Sequence, residues 1–330
     1  MNIIEFAKIA EVSKSTVSRY FNNGYVSEEA NEKIKMAIEK TGFRPQRQAQ
    51  SMRTKKTNLI GVIVPKISTE TPPRVVEGVS DELSVHGYDI LIANTNLVIE
   101  KEIEYLKMFK SNHVEGIIFM ATKITEEHLK VMAEITVPIV VVAQNIDEYP
   151  CVYNDDYNAA REVVKHIINK GYREIAFIGV YEEDISVGFE RKRGYIDELK
   201  NNKIDIKEEF IKIGDFNVES GYNLTKELME CKEKPKAIFA VTDNIAIGAI
   251  EYLKKNNYNI PKDIAIMSIG DSKISRFIEP KLTTVHYYYK TAGVEAANML
   301  LELIKNSVVS SKNIDKKEKL PFRIVERNSI

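Results

Sequence analysis

Near the N-terminus the chain reads Ala10-Glu-Val-Ser-Lys-Ser-Thr-Val-Ser-Arg-Tyr-Phe-Asn22, the pattern of a turn followed by the second helix of a helix-turn-helix. Ser13 is a favourable N-cap, and Val17 and Phe21 stand four residues apart on one apolar face. The opposite face carries side chains that can hydrogen-bond phosphates and base edges, namely Lys14, Ser15, Thr16 and Arg19. The stretch therefore predicts a helix that enters the major groove of DNA.

An ordinary amphipathic surface helix would look similar, so the charge around the motif matters. Residues 1–57 hold 11 Lys and Arg against 6 Asp and Glu, whereas the remaining 273 residues hold 36 against 42. Six basic residues and no acidic one lie between Lys40 and Lys56. A basic head on an acidic body indicates that only the head meets a polyanion.

The head is predicted to contain three short helices. They cover residues 3–10, residues 14–22 and a segment that begins near Ser27 and ends at Gly42. Pro45 can then open a further short helix over residues 46–53, because proline is favoured in a first helical turn. This helix has too few apolar residues to fold alone, so we expect its order to come from another chain or from DNA.

From residue 58 onward, short apolar strands alternate with amphipathic helices. The first set of strands is predicted at 59–64, 88–94, 116–120 and 138–143, with helices around 74–86, 100–112 and 126–134. The second set is predicted at 175–179, 209–213, 237–241 and 264–269, with helices near 156–170, 187–201, 219–230 and 243–256. This alternation predicts an α/β body of two doubly wound parallel-sheet lobes. Ligands of such sheets bind beyond the carboxyl ends of the strands.

Several classes of protein are disfavoured by the sequence. Cys151 and Cys231 stand far apart, which indicates neither a disulfide framework nor a zinc site. The five histidines have no metal or triad spacing, and no phosphate loop, nucleophile elbow or dinucleotide-binding glycine motif is present. The longest apolar runs are strand-sized, and the N-terminus has no secretory signal pattern. We therefore expect a cytoplasmic protein with no enzymatic activity, cofactor, metal or membrane contact.

A resemblance to a known family extends over essentially the full length. The motifs that carry it are Val12-Ser-Lys-Ser-Thr-Val-Ser-Arg19, Gly42-Phe-Arg-Pro-Gln-Arg-Gln-Ala-Gln-Ser-Met52, Leu59-Ile-Gly-Val-Ile-Val-Pro65, Thr242-Asp-Asn-Ile-Ala-Ile-Gly-Ala249, Ile266-Met-Ser-Ile-Gly270 and Leu282-Thr-Thr-Val285. In this order and spacing they resemble the LacI/GalR family of bacterial transcription repressors. Within that family, the stretches 43–53, 121–127, 154–159 and 188–193 most resemble sucrose-operon and trehalose-operon repressors.

The resemblance implies a homodimer whose two heads read the halves of a near-palindromic operator. It implies a helix-turn-helix head over 1–43, a hinge helix over 44–57 and a periplasmic-binding-protein-like core for effector binding and dimerisation over 58–330. Within the core we expect lobe 1 to cover about 58–148 plus 283–306, and lobe 2 about 149–282 plus 307–330. No leucine-heptad tail follows Lys319, which argues mildly against a tetramer.

The resemblance also implies roles for residues of the head and hinge. Lys14, Ser15, Thr16 and Arg19 would face base edges and phosphates. In the hinge, Ala49 would let two helices approach closely, Met52 would insert as an apolar wedge between base pairs, and Arg47 and Arg53 would contact phosphates. One departure is Glu11, which stands where the family's turn usually has glycine.

For the effector the resemblance implies a site in the cleft. The expected residues are Lys66 against a sugar phosphate, Arg191 on sugar hydroxyls, Phe216 stacked on the sugar, and Asp243, Ser272, Tyr289, Gln144 and Asp155 as further contacts. The three tyrosines at 287–289 alternate on a strand-like stretch, so at least one should face the cleft. Structural alternatives stay open, such as a solvated lysine at Lys66, a core ring at Phe216 and a helix cap at Asp243.

The expected function is repression of a sugar operon, with sucrose or trehalose as the sugar. A disaccharide or its 6-phosphate would release the repressor from its operator. One alternative is a family member that is regulated by a phosphorylated carrier protein as corepressor. A sugar-binding transport protein would share the two lobes, but it would need an export signal and would have no use for a basic head.

Overall fold

A computed structural model of the chain describes residues 1–21, 24–43, 57–111, 114–306 and 310–330. Contacts between Cα atoms divide the chain into two compact units, Met1–Thr57 and Asn58–Ile330. The hinge segment predicted over 44–57, with Arg47, Ala49, Met52 and Arg53, lies outside the described residues except for Thr57.

The described part of the first unit contains the three predicted helices, α1 (Ile3–Ile9), α2 (Lys14–Phe21) and α3 (Glu28–Thr41). The Oγ of Ser13 accepts a hydrogen bond from the Thr16 amide at 3.1 Å, as an N-cap of α2 does. Gly42 ends α3 with a left-handed φ of 63°, a conformation that glycine adopts at little cost.

The turn between α1 and α2 keeps a left-handed residue although it has no glycine. Glu11 has a φ of 52° there. The helices on either side meet over a small apolar core in which Phe6, Val17 and Ile34 are fully buried. The rings of Phe6 and Phe43 stack with their centroids 4.3 Å apart. This core holds α2 in place and determines which of its faces is exposed.

The described residues of the second unit form two six-stranded sheets. The strands are β1 (Leu59–Val64), β2 (Asp89–Asn94), β3 (Gly116–Met120), β4 (Ile139–Val142), β5 (Cys151–Asn154), β6 (Ile175–Val180), β7 (Ile211–Gly214), β8 (Ala237–Ala240), β9 (Ala265–Ile269), β10 (Thr283–Tyr287), β11 (Lys317–Leu320) and β12 (Phe322–Val325). Their orders are β11-β5-β4-β3-β1-β2 in the first sheet and β12-β10-β9-β8-β6-β7 in the second. The strand pairs are parallel except β10 with β12.

Helices connect these strands. They are α4 (Thr71–Val85), α5 (Ile99–Ser111), α6 (Glu126–Ala133), α7 (Asp156–Asn169), a π-helical segment (Ile185–Glu190), α8 (Arg191–Asn201), α9 (Val218–Glu230), α10 (Asp243–Lys255) and α11 (Tyr289–Lys305). The prediction of two doubly wound lobes is confirmed. None of the helices in the described ranges is both long enough and apolar enough to cross a membrane.

The predicted lobe limits are wrong at three strands. β5 and β11 belong to the first sheet, although residues 149–282 and 307–330 were expected in lobe 2. β10 belongs to the second sheet, although residues 283–306 were expected in lobe 1. These strands have only four or five residues, and their sheet is decided by partners far away in sequence, such as Lys317 beside Cys151. We call the lobe built on the first sheet lobe 1 and the other lobe 2.

Helices α4 and α11 pack at very close range in lobe 1. A Cβ atom on Gly78 would lie 2.0 Å from the Lys290 carbonyl oxygen, and one on Gly293 would lie 2.0 Å from the Val75 carbonyl oxygen. Both positions therefore exclude any larger side chain. This packing brings Tyr289, the first residue of α11, close to the first turns of α4.

Candidate functional site

A cavity of about 370 Å³ lies between the carboxyl ends of the two sheets in the second unit. This size is within the range of small-molecule sites, and the position is the one expected for ligands of parallel sheets. Seven of the eight predicted effector residues line it, namely Lys66, Gln144, Arg191, Phe216, Asp243, Ser272 and Tyr289.

The eighth predicted residue, Asp155, is not part of the lining, whereas the adjacent Asp156 is. Asp155 is the N-cap of α7, where its side chain accepts a hydrogen bond from the Asn158 amide. Its Oδ2 also lies 2.9 Å from the Nζ of Lys319. The Asp155 carboxylate is thus held at the helix end, outside the cavity lining.

Arg191 and Asp156 form a buried ion pair in the cavity wall. Nε and Nη2 of Arg191 lie 2.8 and 2.7 Å from Oδ1 of Asp156, and Nη1 donates to the Val241 carbonyl. The Tyr287 hydroxyl donates to the same carboxylate oxygen at 3.0 Å. Burial alone would lower the pKa of Arg191, but the Asp156 carboxylate more than offsets this and raises the pKa, so the guanidinium stays charged.

The ion pair with Asp156 leaves some N–H donors of the Arg191 guanidinium available to a ligand. An arginine has five N–H donors, and the described residues engage three of them, one each on Nε, Nη1 and Nη2. Arg191 is 4% exposed and its orientation is fixed. The remaining donors suit hydroxyl groups of a bound molecule.

Asp243 is held by protein groups on both of its oxygens. Oδ1 accepts from the Ser268 hydroxyl at 2.6 Å and from the Thr284 hydroxyl at 2.7 Å. Oδ2 accepts from the Ser272 amide at 2.6 Å. The N-cap of α10 is Thr242, so the helix-cap alternative for Asp243 is wrong. Asp243 positions the loop at Ser272, which forms part of the cavity wall.

Ser272, Phe216 and Gln144 line the cavity with neutral groups. The Ser272 hydroxyl is buried and accepts a hydrogen bond from the Ser275 amide at 3.2 Å. Phe216, just beyond β7, is half-buried, so one ring both packs against the core and faces the cavity. Gln144 donates to the Thr122 carbonyl at 2.9 Å.

Two basic residues from lobe 1 also line the cavity. Within the described ranges, the Lys66 ammonium group has no ion-pair or hydrogen-bond partner, and the residue is half-buried. Arg74, which no sequence motif predicts as a site residue, lies with its guanidinium carbon 5.1 Å from the ring centroid of Tyr289. Tyr289 begins α11, so the expectation of a strand at this tyrosine is wrong.

Three acidic residues of the cavity wall have protein partners. Glu70 accepts a hydrogen bond from the Lys273 amide at 2.9 Å, and Asp156 is paired with Arg191. Asp184 caps the π-helical segment through the Val187 amide, and burial raises the pKa of its carboxyl to about 6. On the lobe 1 wall, Lys66 and Arg74 are the two cations, and neither has an ion pair within the described ranges.

Hydrogen bonds connect the two lobes around the cavity. The Ser186 hydroxyl of lobe 2 donates to the Ala143 carbonyl of lobe 1 at 2.6 Å. The Lys273 amide of lobe 2 donates to Glu70 of lobe 1, and Arg74 donates to the Gly270 carbonyl at 3.4 Å. Occupation of the cavity can thus alter contacts that set the relative position of the lobes.

In the first unit, the predicted DNA-contacting residues lie on the outer side of α2. Lys14, Ser15 and Arg19 are exposed and Thr16 is half-buried, whereas Val17 is completely buried. The Ser13 hydroxyl lies 2.7 Å from the Ser15 hydroxyl and 2.8 Å from that of Thr16. The exposed face of α2 therefore presents a row of hydroxyl groups flanked by two cations.

The chain matches two family models. Residues 2–46 match bacterial regulatory proteins of the lacI family, and residues 164–330 match the periplasmic binding protein-like domain. The sucrose operon repressor of Staphylococcus xylosus is 34% identical over 95% of this chain and 97% of its own length. Catabolite control protein A of Priestia megaterium is 31% identical over 98% of each chain.

The solved structures agree on the fold. The crystal structure of the Lac repressor dimer bound to operator and the anti-inducer ONPF superposes with a TM-score of 0.89, over 100% of this chain and 98% of that one, at 22% identity. These relatives are transcriptional regulators and not enzymes. The three-helix head, the two parallel-sheet lobes and the similarity along the whole chain lead to one conclusion: the chain belongs to the LacI family of bacterial transcription regulators.

Proposed function

We propose that this regulator is a cytoplasmic, dimeric repressor of a sugar-utilisation operon. A disaccharide or its 6-phosphate would bind in the cavity and release the repressor from a near-palindromic operator. Sucrose is the first choice of sugar, because the sucrose operon repressor of S. xylosus matches almost the whole chain, and trehalose is the second. The head over 1–43 would read the operator, the hinge over 44–57 would order on it, and 58–330 would bind the effector and the second copy.

The observation that carries the sugar assignment is the chemistry of the cavity wall. Arg191 offers charged N–H donors in a fixed orientation, and Phe216, which follows the neighbouring strand β7, offers an aromatic ring in the same lining. Sugars present hydroxyl groups around apolar ring faces, which suit these two kinds of group. Asp156 is paired with Arg191, so it adds little repulsion for an anionic ligand.

The phosphorylated form is supported by Lys66. Its ammonium group is unpartnered within the described residues and lies at the cavity, where a phosphate would gain a charge-assisted contact. Arg74 adds a second cation on the same lobe. The neutral Ser272 supports the same choice, since a carboxylate there would repel a phosphate.

The coupling to DNA would act through the contacts between the lobes. A sugar that binds one lobe arrangement more tightly than the other shifts the population towards that arrangement. If the sugar binds one lobe arrangement a hundred times more tightly than the other, the coupling free energy is about 2.7 kcal/mol. The hydrogen bonds of Ser186, Glu70 and Arg74 across the cavity are the contacts that such a shift would change.

Thermal unfolding of the purified chain with a panel of sugars tests the proposal. The panel holds sucrose, trehalose and their 6-phosphates, each at 100 times its dissociation constant, where about 2.7 kcal/mol of stabilisation is expected. Lys66→Ala should weaken a phosphorylated sugar selectively, whereas Lys123→Ala, on lobe 1 but outside the cavity lining, should not. Equal losses for phosphorylated and free sugar would contradict the phosphate assignment. No shift with any sugar would contradict the sugar effector and favour a protein corepressor.

A further inference from the structure

Within the described ranges the chain passes between the two lobes three times, and each crossing is a single residue. Asp155 lies between β5 of lobe 1 and α7, which packs on β9 and β10 of lobe 2. Tyr288 lies between β10 and α11, and Pro321 lies between β11 and β12. Hinges of two-lobed proteins are a few residues at the ends of elements, which absorb the change in backbone dihedral angles. The residues beside these three crossings therefore control how the lobes can move.

On the lobe 2 side, the residues next to the crossings are Asp156, Tyr287 and Phe322, and Tyr287 contacts the other two. Its hydroxyl donates to Oδ1 of Asp156 at 3.0 Å. Its ring meets the ring of Phe322 edge-on with the centroids 6.4 Å apart, and the two residues are directly paired between β10 and β12. Tyr287 thus joins the lobe 2 ends of all three crossings.

Tyr287 also contacts the arginine of the cavity, although Tyr287 itself lies outside the cavity lining. The guanidinium carbon of Arg191 lies 5.5 Å from the centroid of the Tyr287 ring. Nε and Nη2 of Arg191 and the Tyr287 hydroxyl all donate to the same oxygen, Oδ1 of Asp156. Tyr287 is fully buried, and burial raises the pKa of its hydroxyl above the ordinary value of 10, so the hydroxyl keeps its proton and remains a donor.

These contacts provide a short route from a ligand to the hinge. A ligand that accepts hydrogen bonds from Arg191 changes the balance of donors on the Asp156 carboxylate. Because Asp156 directly follows the crossing at Asp155, a displacement of its backbone acts on that crossing. Through the Tyr287 hydroxyl and ring, the same displacement reaches the other two crossings. Contacts whose free energy differs between the two lobe arrangements are the ones that can couple ligand binding to DNA binding.

We propose that Tyr287 is a positioning residue that couples the effector cavity to the hinge between the lobes. It acts through Asp156 and Arg191 and not by contact with the ligand. This role rests on the proposed function, in which an effector in the cavity releases DNA, and it identifies the residue through which that release is transmitted. Without the Tyr287 hydroxyl, the effector still binds, but its effect on the DNA affinity is weakened.

The test removes this hydroxyl and measures the response to the effector. Tyr287→Phe keeps the ring beside Phe322 and deletes the hydrogen bond to Asp156. Wild type and variant are titrated calorimetrically with sucrose, trehalose, sucrose-6-phosphate and trehalose-6-phosphate, and their affinity for DNA selected by the full chain is measured with and without each sugar at saturation. The effective sugar should lower the DNA affinity of wild type about a hundredfold. The same sugar should still bind Tyr287→Phe but lower its DNA affinity about tenfold or less, because a hydrogen bond to a charged group is lost.

Tyr195→Phe is the matched control within lobe 2. Tyr195 is also fully buried, and its hydroxyl donates to the Ile175 carbonyl at 2.8 Å. It lies outside the cavity lining, and its ring stacks on Phe177 in the core. This variant loses one buried hydrogen bond, as Tyr287→Phe does, but its response to sugar should equal that of wild type.

Hydrogen exchange of the ligand-free protein tests the connection between the crossings without any sugar. In Tyr287→Phe, the amides of residues 155–157, 288–290 and 320–323 should exchange about tenfold faster than in wild type, and they should do so together. In Tyr195→Phe, the same amides should exchange at the wild-type rate. The three segments are far apart in sequence, so a common change reports the residue that joins them.

The results that would overturn the proposal are distinguishable. If a sugar releases wild type and Tyr287→Phe from DNA equally well, the coupling role is wrong and the sugar effector stands. If Tyr195→Phe loses the response as fully as Tyr287→Phe, the hydroxyl has only a structural role. Unchanged exchange at the three crossings in Tyr287→Phe would contradict the connection itself. If none of the four sugars changes the DNA affinity of wild type, the proposed effector fails and the coupling role fails with it.

Discussion

The guanidinium of Arg191 lies 2.7 Å from the carboxylate of Asp156, and both side chains are almost fully buried in the wall of the cleft. The two residues come from different helices, α8 and α7, and the Tyr287 hydroxyl of β10 joins them. The pair therefore connects three elements of lobe 2 at the point where a ligand would contact Arg191.

Removing one member of this pair should destabilise the core strongly. Asp156→Ala leaves a buried arginine without its counter-charge, so the free energy of unfolding should fall by about 3–5 kcal/mol. Asp155→Asn is the matched control, because it keeps an acceptor for the helix cap and removes a carboxylate whose ion pair with the exposed Lys319 is worth about 1 kcal/mol or less. Urea unfolding followed by circular dichroism compares the two. Equal midpoints would mean that the buried pair contributes no more than the surface pair.

Asp184 should make the stability of the core depend on pH. Burial raises its folded-state pKa to about 6 from an ordinary value of 3.8. The folded state then holds a proton between about pH 4 and pH 6 that the unfolded state has lost, so this group lowers stability as the pH rises through that window. Asp184→Asn keeps an acceptor for the Val187 amide and removes the charge.

The advantage of Asp184→Asn over wild type should therefore grow from pH 4 to pH 7, reaching about 1–3 kcal/mol. Thermal unfolding at several pH values measures it. Asp215→Asn makes the same change at an exposed aspartate of the same cavity and serves as the control. An advantage of constant size across this range would show that Asp184 titrates normally.

Much of the fold could be predicted because its signals are local. The eight strands expected from apolar runs are present, with ends that differ by a few residues, and the capping residues Ser13 and Ser27 mark the starts of α2 and α3. By contrast, β5, β10, β11 and β12 are short, and β11 reads Lys317-Glu-Lys-Leu320 with three charges. Such a strand exists because of its partner in the sheet, which local periodicity does not reveal.

The cavity was predicted only in part for a similar reason. Asp155 and Asp156 are adjacent and chemically identical, and what separates them is the position of Arg191, 35 residues along the chain. Arg74 has no local signal either, since it is one basic residue on an amphipathic helix. Its role follows from the close packing of α4 against α11, which brings Tyr289 beside it.

Glu11 should limit the stability of the head. Its φ of 52° is a left-handed conformation that costs a non-glycine residue about 1 kcal/mol or more, so Glu11→Gly should stabilise the head by a similar amount. Glu32→Gly makes the same change inside α3 and should destabilise it by about 1 kcal/mol. Thermal unfolding measures the stability of the full chain. Hydrogen exchange of the α1–α3 amides measures the stability of the head separately. Effects of the same sign in both variants would contradict this account.

Arg19 should contribute directly to DNA affinity. Arg19→Ala removes an exposed cation from the outer face of α2, and a lost base or phosphate contact of this kind costs about 1–3 kcal/mol. Lys35→Ala removes the same charge from the exposed face of α3 and controls for overall electrostatics. Fluorescence anisotropy with DNA selected by the full chain from a random pool gives both affinities. Indistinguishable losses would show that α2 is not the reading helix.

The central claim is that a sugar in the cleft controls the affinity for DNA. We would measure binding of the selected DNA with and without saturating sucrose, trehalose, sucrose-6-phosphate and trehalose-6-phosphate, for wild type and for Arg191→Lys. The lysine ammonium group cannot reproduce the planar set of N–H donors of the arginine. The account predicts that one of these sugars lowers the DNA affinity of wild type by about a hundredfold and leaves that of Arg191→Lys nearly unchanged. Wild-type affinity that stays constant with all four sugars would contradict it.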